Sequence, residues 1–323
     1  MQRFITPVSR RGIIGAAAGY MACRAVPVRA DERPHRSIVN CVAVSPDGTV
    51  MATGGWDTRI VLWNTAERKP RQVLSGHRGS VSYLTFADQN HLLSASWDTQ
   101  LKLWDFQSNS VVRSFEGHRE NVSALAIDGD VIVSGGWDRE IIMWEATTGQ
   151  IIRRISGHRE QVLAVAFLRK HGLLASASYD LTVRLWHRDD GSEAAILEGH
   201  GRSVNCLAVS DATGSLISGA TDGEIIVWDI VSRKEALRVP AHDGFVSSVA
   251  LLPEGREFVS TGGDGVLRRW DIQTGRRLQE TASVNRPLWS VTVSPDSRQF
   301  FLAGHDGFVG SVLPDGSAIQ PWA

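Results

Sequence analysis

The sequence predicts an all-β chain: a seven-bladed β-propeller of four-stranded antiparallel blades, the seventh blade degenerate. Three regularities predict it. A histidine, usually preceded by glycine, recurs at His35, His77, His118, His158, His200 and His242, at spacings of 42, 41, 40, 42 and 42 residues. An aspartate follows each histidine by 20 to 22 residues, and a tryptophan follows each aspartate by six. Between these markers lie short apolar runs separated by turn residues. A repeat near 40 residues signals a radial array, because a sheet of such short strands buries its faces only by stacking on its neighbours.

In order, the units run 35–75, 76–116, 117–156, 157–198, 199–240, 241–281 and 282–323. The first shows the pattern of all. Val39–Ser45 alternates apolar with small residues and ends in the turn sequence Ser45-Pro46-Asp47-Gly48. Val50–Thr53, a turn at Asp57-Thr58, Ile60–Trp63 and Arg71–Leu74 complete four strands. The seventh unit keeps the strand pattern and Asp306, but has Val284, Leu302 and Val312 where the others have His, Ser or Thr, and Trp. Its outer strand is expected from the chain's own end, Ser317–Trp322, with Pro321 tolerated at a sheet edge.

Residues 1–30 stand outside the repeat. They hold Arg3, Arg10, Arg11, Arg24 and Arg29 and no acid, with Ser9-Arg10-Arg11 ahead of a weakly apolar run reaching Cys23 and Val28-Arg29-Ala30 before Asp31. A basic start, an apolar centre and a small-residue end read as a signal peptide. The paired arginines resemble a twin-arginine export signal, which implies the periplasm. A mitochondrial transit peptide, a lipoprotein anchor on Cys23 and a plain extension on a cytoplasmic chain are the alternatives.

Composition narrows the function classes. Hydrophobic residues make up 42% and charged residues 21%, with a formal net charge of −1. Setting aside the five N-terminal arginines leaves residues 31–323 at −6, which gives no electrostatic footprint for nucleic acid. No apolar run is long enough to span a bilayer. Cys23, Cys41 and Cys206 make no disulfide framework, and the last two read as buried, inert thiols. No Gly-rich phosphate loop with a following Lys, Cys-x-x-Cys-His haem motif or nucleophile elbow is present, so neither a cofactor nor an enzymatic activity is expected.

The opening and closing pairs carry a resemblance. Gly76-His77 to Trp104-Asp105, Gly199-His200 to Trp228-Asp229 and Ala241-His242 to Trp270-Asp271 resemble the WD-repeat β-propeller family. The closing pair drifts to Trp63-Asn64, Trp144-Glu145 and Trp186-His187 in other units. The resemblance implies a hydrogen-bonded tetrad of His, a second-strand Ser or Thr, the turn Asp and the third-strand Trp. Carried over by position, the tetrads are His35, Thr53, Asp57 and Trp63; His77, Ser94, Asp98 and Trp104; His118, Ser134, Asp138 and Trp144; His158, Ser176, Asp180 and Trp186; His200, Ser218, Asp222 and Trp228; and His242, Ser260, Asp264 and Trp270. Asp holds one imidazole nitrogen, the hydroxyl meets the other, and the hydroxyl oxygen accepts the indole N–H, so every buried polar group is satisfied. These histidines and aspartates are therefore bracing, not a metal site.

Function then falls to exposed positions that vary between units. The residue before the tetrad aspartate is Trp56, Trp97, Trp137 and Tyr179 in units one to four, then Thr221, Gly263 and His305. The fifth residue after the histidine is Asn40, Ser82, Ser123, Leu163, Asn205 and Ser247, and Trp289 in unit seven. Arg36, Arg78, Arg119 and Arg159 directly follow four tetrad histidines. The resemblance implies that partners bind on the face carrying these turns. The expectation is a monomeric scaffold holding a protein partner on an aromatic arc over blades seven and one to four. Exported propellers of this kind resemble those linked to c-type cytochromes, which makes a periplasmic redox protein a partner to expect. The alternative is recognition of a small ligand, a carbohydrate or quaternary amine, by stacking and cation–π contacts.

Overall fold

The structure, a computed structural model, describes residues 33–322. The segment read as an export signal, residues 1–30, lies outside them. Seven four-stranded antiparallel sheets follow one another, each with its strands in sequence order. The innermost strands touch in succession, and Val39–Val44 of the first sheet meets Leu288–Val293 of the last, which closes the ring. This is the expected seven-bladed propeller.

Burial peaks in the middle strands of each blade and falls off in the outermost one. In the first, Val50–Gly55 is buried throughout, Ile60–Asn64 nearly so, and Lys69–Leu74 is buried only at one end. The core lies between blades. One cluster joins Ile60, Leu62 and Leu74 of blade one to Leu84, Leu92 and Trp104 of blade two. Another joins Met51 and Trp63 of blade one to Phe301, Ala303 and Val309 of blade seven. At Gly54 this packing forbids a side chain, because a Cβ there would stand 2.5 Å from Val81 of the next blade.

Each innermost strand carries a β-bulge near its start, as between Val39 and Cys41 or Val81 and Tyr83. A bulge leaves one residue without a cross-strand partner and re-aims its side chain. The re-aimed residues include Asn40, Ser82, Asn205 and Ser247, which bridge to the next blade. Asn40 donates to Ser80 Oγ at 3.0 Å, Ser82 to the Val122 carbonyl at 2.6 Å, Asn205 to Val246 at 3.1 Å and Ser247 to Leu288 at 2.7 Å. Ser123 does the same to Val162 at 2.6 Å. These side chains therefore tie blades together around the axis.

The fourth strand of the seventh sheet is Gln320–Pro321, shorter than the expected Ser317–Trp322 because Leu313–Gly316 and Ser317 form a turn first. Just past it, Trp322 donates its indole N–H to Ser311 Oγ at 3.1 Å and meets Trp63 and Phe301 at centroid distances of 6.1 and 5.6 Å. An indole from the chain's end thus fills the seam that a third-strand tryptophan fills elsewhere. Trp322→Ala should lower stability by about 2 kcal/mol, below the range for a fully buried aromatic because the ring is only partly covered. Thermal unfolding of the full chain checks this, and an unchanged melting temperature would show that the seam closes without the ring.

Candidate functional site

The tetrads are the frame on which the face is built. In blade two, Asp98 lies 2.8 Å from His77 Nδ1, His77 Nε2 lies 2.7 Å from Ser94 Oγ, and Trp104 donates to Ser94 Oγ at 2.7 Å. Trp N–H only donates, so Ser94 accepts it and gives its own proton to Nε2; Nδ1–H then donates to the carboxylate. Blades one, three, four and six hold the same chain of contacts. In blade six Arg268 joins it, with its guanidinium 2.5 Å from Asp264.

Each aspartate does more than hold its histidine. Asp98 also accepts the backbone N–H of Arg78 at 2.8 Å and of Gln100 at 3.1 Å. Burial alone would raise its carboxyl, but the His77 contact and these N–H groups outweigh burial and hold it at about 2. Burial also lowers His77, against the pull of Asp98, and keeps the imidazole neutral. The carboxylate thereby locks the loop before the first strand to the turn after the second. That turn puts non-glycine residues in the left-handed region at Thr58, Thr99, Arg139 and Leu181, with φ between 65° and 72°. Such strain persists only where the surroundings impose it.

Blade five departs from the pattern. His200 Nε2 meets Ser218 at 2.7 Å and Trp228 donates to the same hydroxyl, but buried His200 Nδ1 has no partner. Asp222 instead accepts from the backbone of Gly201 and Glu224. The structure therefore does not bring His200 and Asp222 together, although all four tetrad residue types are present in the sequence. Burial, outweighing the attraction of Asp222, pushes the imidazole down to about 4.

Among the described residues no three His, Cys, Asp or Glu side chains converge as a metal site would require. Cys41 and Cys206 are free and buried; burial pushes both thiols up, Cys206 to about 12.

The residue before each tetrad aspartate is fixed through its backbone. Its N–H donates to the carbonyl of the loop before the first strand in all seven blades: Trp56 to Ile38, Trp97 to Ser80, Trp137 to Asn121, Tyr179 to Gln161, Thr221 to Ser203, Gly263 to Phe245 and His305 to Pro287. That bond does not involve the side chain. Trp56, Trp97 and Trp137 form a staircase, with centroids 5.7 and 5.6 Å apart and planes tilted by 48° and 51°. Trp56 is 46% exposed, with its N–H given to Asn40 at 3.0 Å; Tyr179 is 56% exposed. Arg36, Arg78, Arg119 and Arg159 stand exposed beside them, their backbone N–H groups held by tetrad aspartates.

The expected continuous arc is interrupted. No ring contact joins Tyr179 to Trp137 or Trp289 to Trp56 among the described residues. Trp289 stacks on Phe245 of blade six, at 5.0 Å and 24°. The cause is Gly263: with no side chain at the aromatic position, its space goes to the Phe245 ring, 2.9 Å from where a Cβ would stand. Sequence reasoning missed Phe245 and exposed Leu181, and the bare Gly263 was the one signal for the former. The innermost strands enclose an axial cavity of about 510 Å³ with Asn40, Ser82, Asn205 and Trp289 in its lining.

The sequence model of one family, described as "WD domain, G-beta repeat", matches residues 30–64, 68–105, 109–145, 149–187, 191–229 and 234–271. The chain belongs to the WD-repeat family. The seventh sheet lies beyond the matched WD repeats. Curated relatives match a shorter stretch. A protein named ribosome biogenesis protein WDR12 homolog, from Drosophila mojavensis, is 38% identical over 76 residues, covering 19% of this chain and 18% of the relative. Its Drosophila erecta counterpart is 36% identical over the same length and shares. A U3 snoRNP-associated protein-like YAOH from Oryza sativa subsp. japonica is 48% identical over 48 residues, covering 15% of this chain and 9% of the relative. The chain thus spans less than a fifth of the length of the curated relatives it matches. Their names correct the periplasmic destination. Ribosome biogenesis and a U3 snoRNP belong inside the cell, and the periplasmic redox partner expected with export falls with that destination.

Two outcomes follow from the tetrads. Ser94→Ala strands both His77 Nε2 and the Trp104 N–H, and should cost about 1–3 kcal/mol by denaturant unfolding; a loss below half that would mean the tetrad is not bracing. His200, depressed from 6.5, favours the fold above pH 6.5, and that contribution is lost as pH falls toward 4. Asp98, depressed from 3.8, contributes above pH 3.8 and loses its share only as pH falls toward 2. His200→Asn should flatten the melting temperature between pH 6.5 and 4 and leave the steeper acid limb in place. A curve of unchanged shape would contradict the assignment.

Proposed function

We propose that this chain is a non-enzymatic interaction scaffold that holds a protein partner on the face bearing Trp56, Trp97, Trp137 and Tyr179. One observation carries the reading: three tryptophans in contact, on turns whose backbones are fixed independently of them, with their rings outside the core. Aromatic and arginine side chains are enriched where interfaces concentrate their energy, around a patch that excludes water. Leu181 adds apolar surface beside Tyr179, and Arg78, Arg119 and Arg159 form a charged rim. The axial cavity gives small-ligand recognition less support, because its asparagine and serine side chains are engaged in bridging the blades. The names of the curated relatives supply no partner for this chain, since the matched stretch covers fewer than two blades and the aromatic face spans four.

The test is a Trp97→Ala/Trp137→Ala chain compared with wild type for thermal stability and for partner capture in pull-downs. The expected result is a melting temperature lowered by only a few degrees with capture lost. A large fall in stability with the same proteins still captured would make the rings rim packing and refute the reading.

A further inference from the structure

The kind of partner can be read from the charges on the same face, given the docking role just proposed. On the turns and loops of blades two to four, Arg78, Arg119, Arg139 and Arg159 are exposed and have no carboxylate partner among the described residues. Several arginines on the blades' outer strands and edges are already taken by acids: Arg154 pairs with Glu140, Arg184 with Glu193, Arg238 with Glu224 and Glu235, and Arg268 with Asp264 and Glu280. Here, by contrast, guanidinium groups free to take an outside carboxylate are gathered beside an apolar patch. The nearby acids cancel them only in part. Asp98, Asp138 and Asp180 are turned inward to histidine and backbone N–H groups and Glu140 is taken by Arg154, which leaves Glu120 and Glu160 against four arginines. A positive, aromatic surface thus sits on a chain whose formal net charge is −1.

We infer that the tryptophan face docks a short acidic peptide segment of a protein partner, one carrying apolar side chains among its carboxylates. Guanidinium groups take carboxylates in a bidentate fork, and the apolar side chains would lie against the indoles between them. A nucleic acid fits less well. The three indoles touch one another at tilts near 50°, which leaves no slot for a base between them. A long polyanion would also run past the patch onto the acidic remainder of the molecule, whereas a short segment can stay where the arginines outnumber the acids.

Fluorescence anisotropy on the full chain tests this with three labelled probes: an alternating Glu-Leu decapeptide, its Lys-Leu counterpart and an oligo-uridine of similar length. The acidic peptide should bind more tightly than the basic one by about tenfold, with an affinity that falls as salt rises. Arg78→Glu/Arg119→Glu should reverse that order at an unchanged melting temperature. Equal binding of the two peptides, or oligo-uridine binding that the arginine reversal abolishes while the acidic peptide stays unbound, would overturn the inference. If peptide binding ignores charge but is lost in Trp97→Ala/Trp137→Ala, the acidic partner fails and the docking face stands. If the tryptophan substitutions change no binding at all, the docking face fails as well.

Discussion

The interaction on which the structure depends is the contact between a half-buried carboxylate and a buried imidazole, made in blades one to four and six. At Asp98 the carboxylate gathers His77, the backbone N–H that follows it and the N–H two residues beyond the aspartate itself. Two loops that are distant in sequence become one rigid unit. The hydroxyl of Ser94 and the indole of Trp104 extend the same chain of bonds into the seam between blades, where packing takes over. A single polar network thus joins the top of the blade to its hydrophobic middle, so removing any member exposes the others to an unsatisfied environment.

Blade seven shows what the tetrad replaces. With valine, leucine and valine at three of the four stations, it has no tetrad, and its cohesion rests on Leu288, Val291, Phe300, Leu302 and Phe308, with buried Ser311 accepting from Gln299 and Trp322. The indole at the seam with blade one comes from Trp322, ten residues beyond the usual station at Val312. Ring closure therefore couples the chain's last described residue to the first blade. That contact is long-range in sequence, the kind of pairing whose loop-closure entropy slows folding.

Legibility in the sequence followed physical periodicity. The blades were readable because stacking imposes one spacing on every unit, and the tetrad stations because a buried hydrogen-bond chain tolerates few residue types. What escaped was set by distances between units. The open contact at His200 has no counterpart in residue identity, since blade five carries the same four residue types as blade two. Trp322 reads as the end of an outer strand, and nothing in the repeat register points to its indole in the seam. Asn40 and Ser82 read as surface positions, yet the bulge turns them toward the next blade. Phe245 could be inferred only by asking what occupies the volume that Gly263 leaves vacant.

Blade six also bears on whether the tryptophans belong to the fold. Its tetrad is closed, its Gly263 makes the same backbone bond to the preceding loop as Trp56, Trp97 and Trp137 make in theirs, and it has no side chain at that station. The frame therefore does not need an aromatic there. In blade five a threonine fills the station and bonds Ser203, again with the backbone contact intact. A large ring half in water on three successive turns offers the isolated blade little, because the turn is already fixed by the aspartate that follows the ring. The rings meet one another instead, across blade boundaries, and this lateral contact makes a single surface out of three separate repeats.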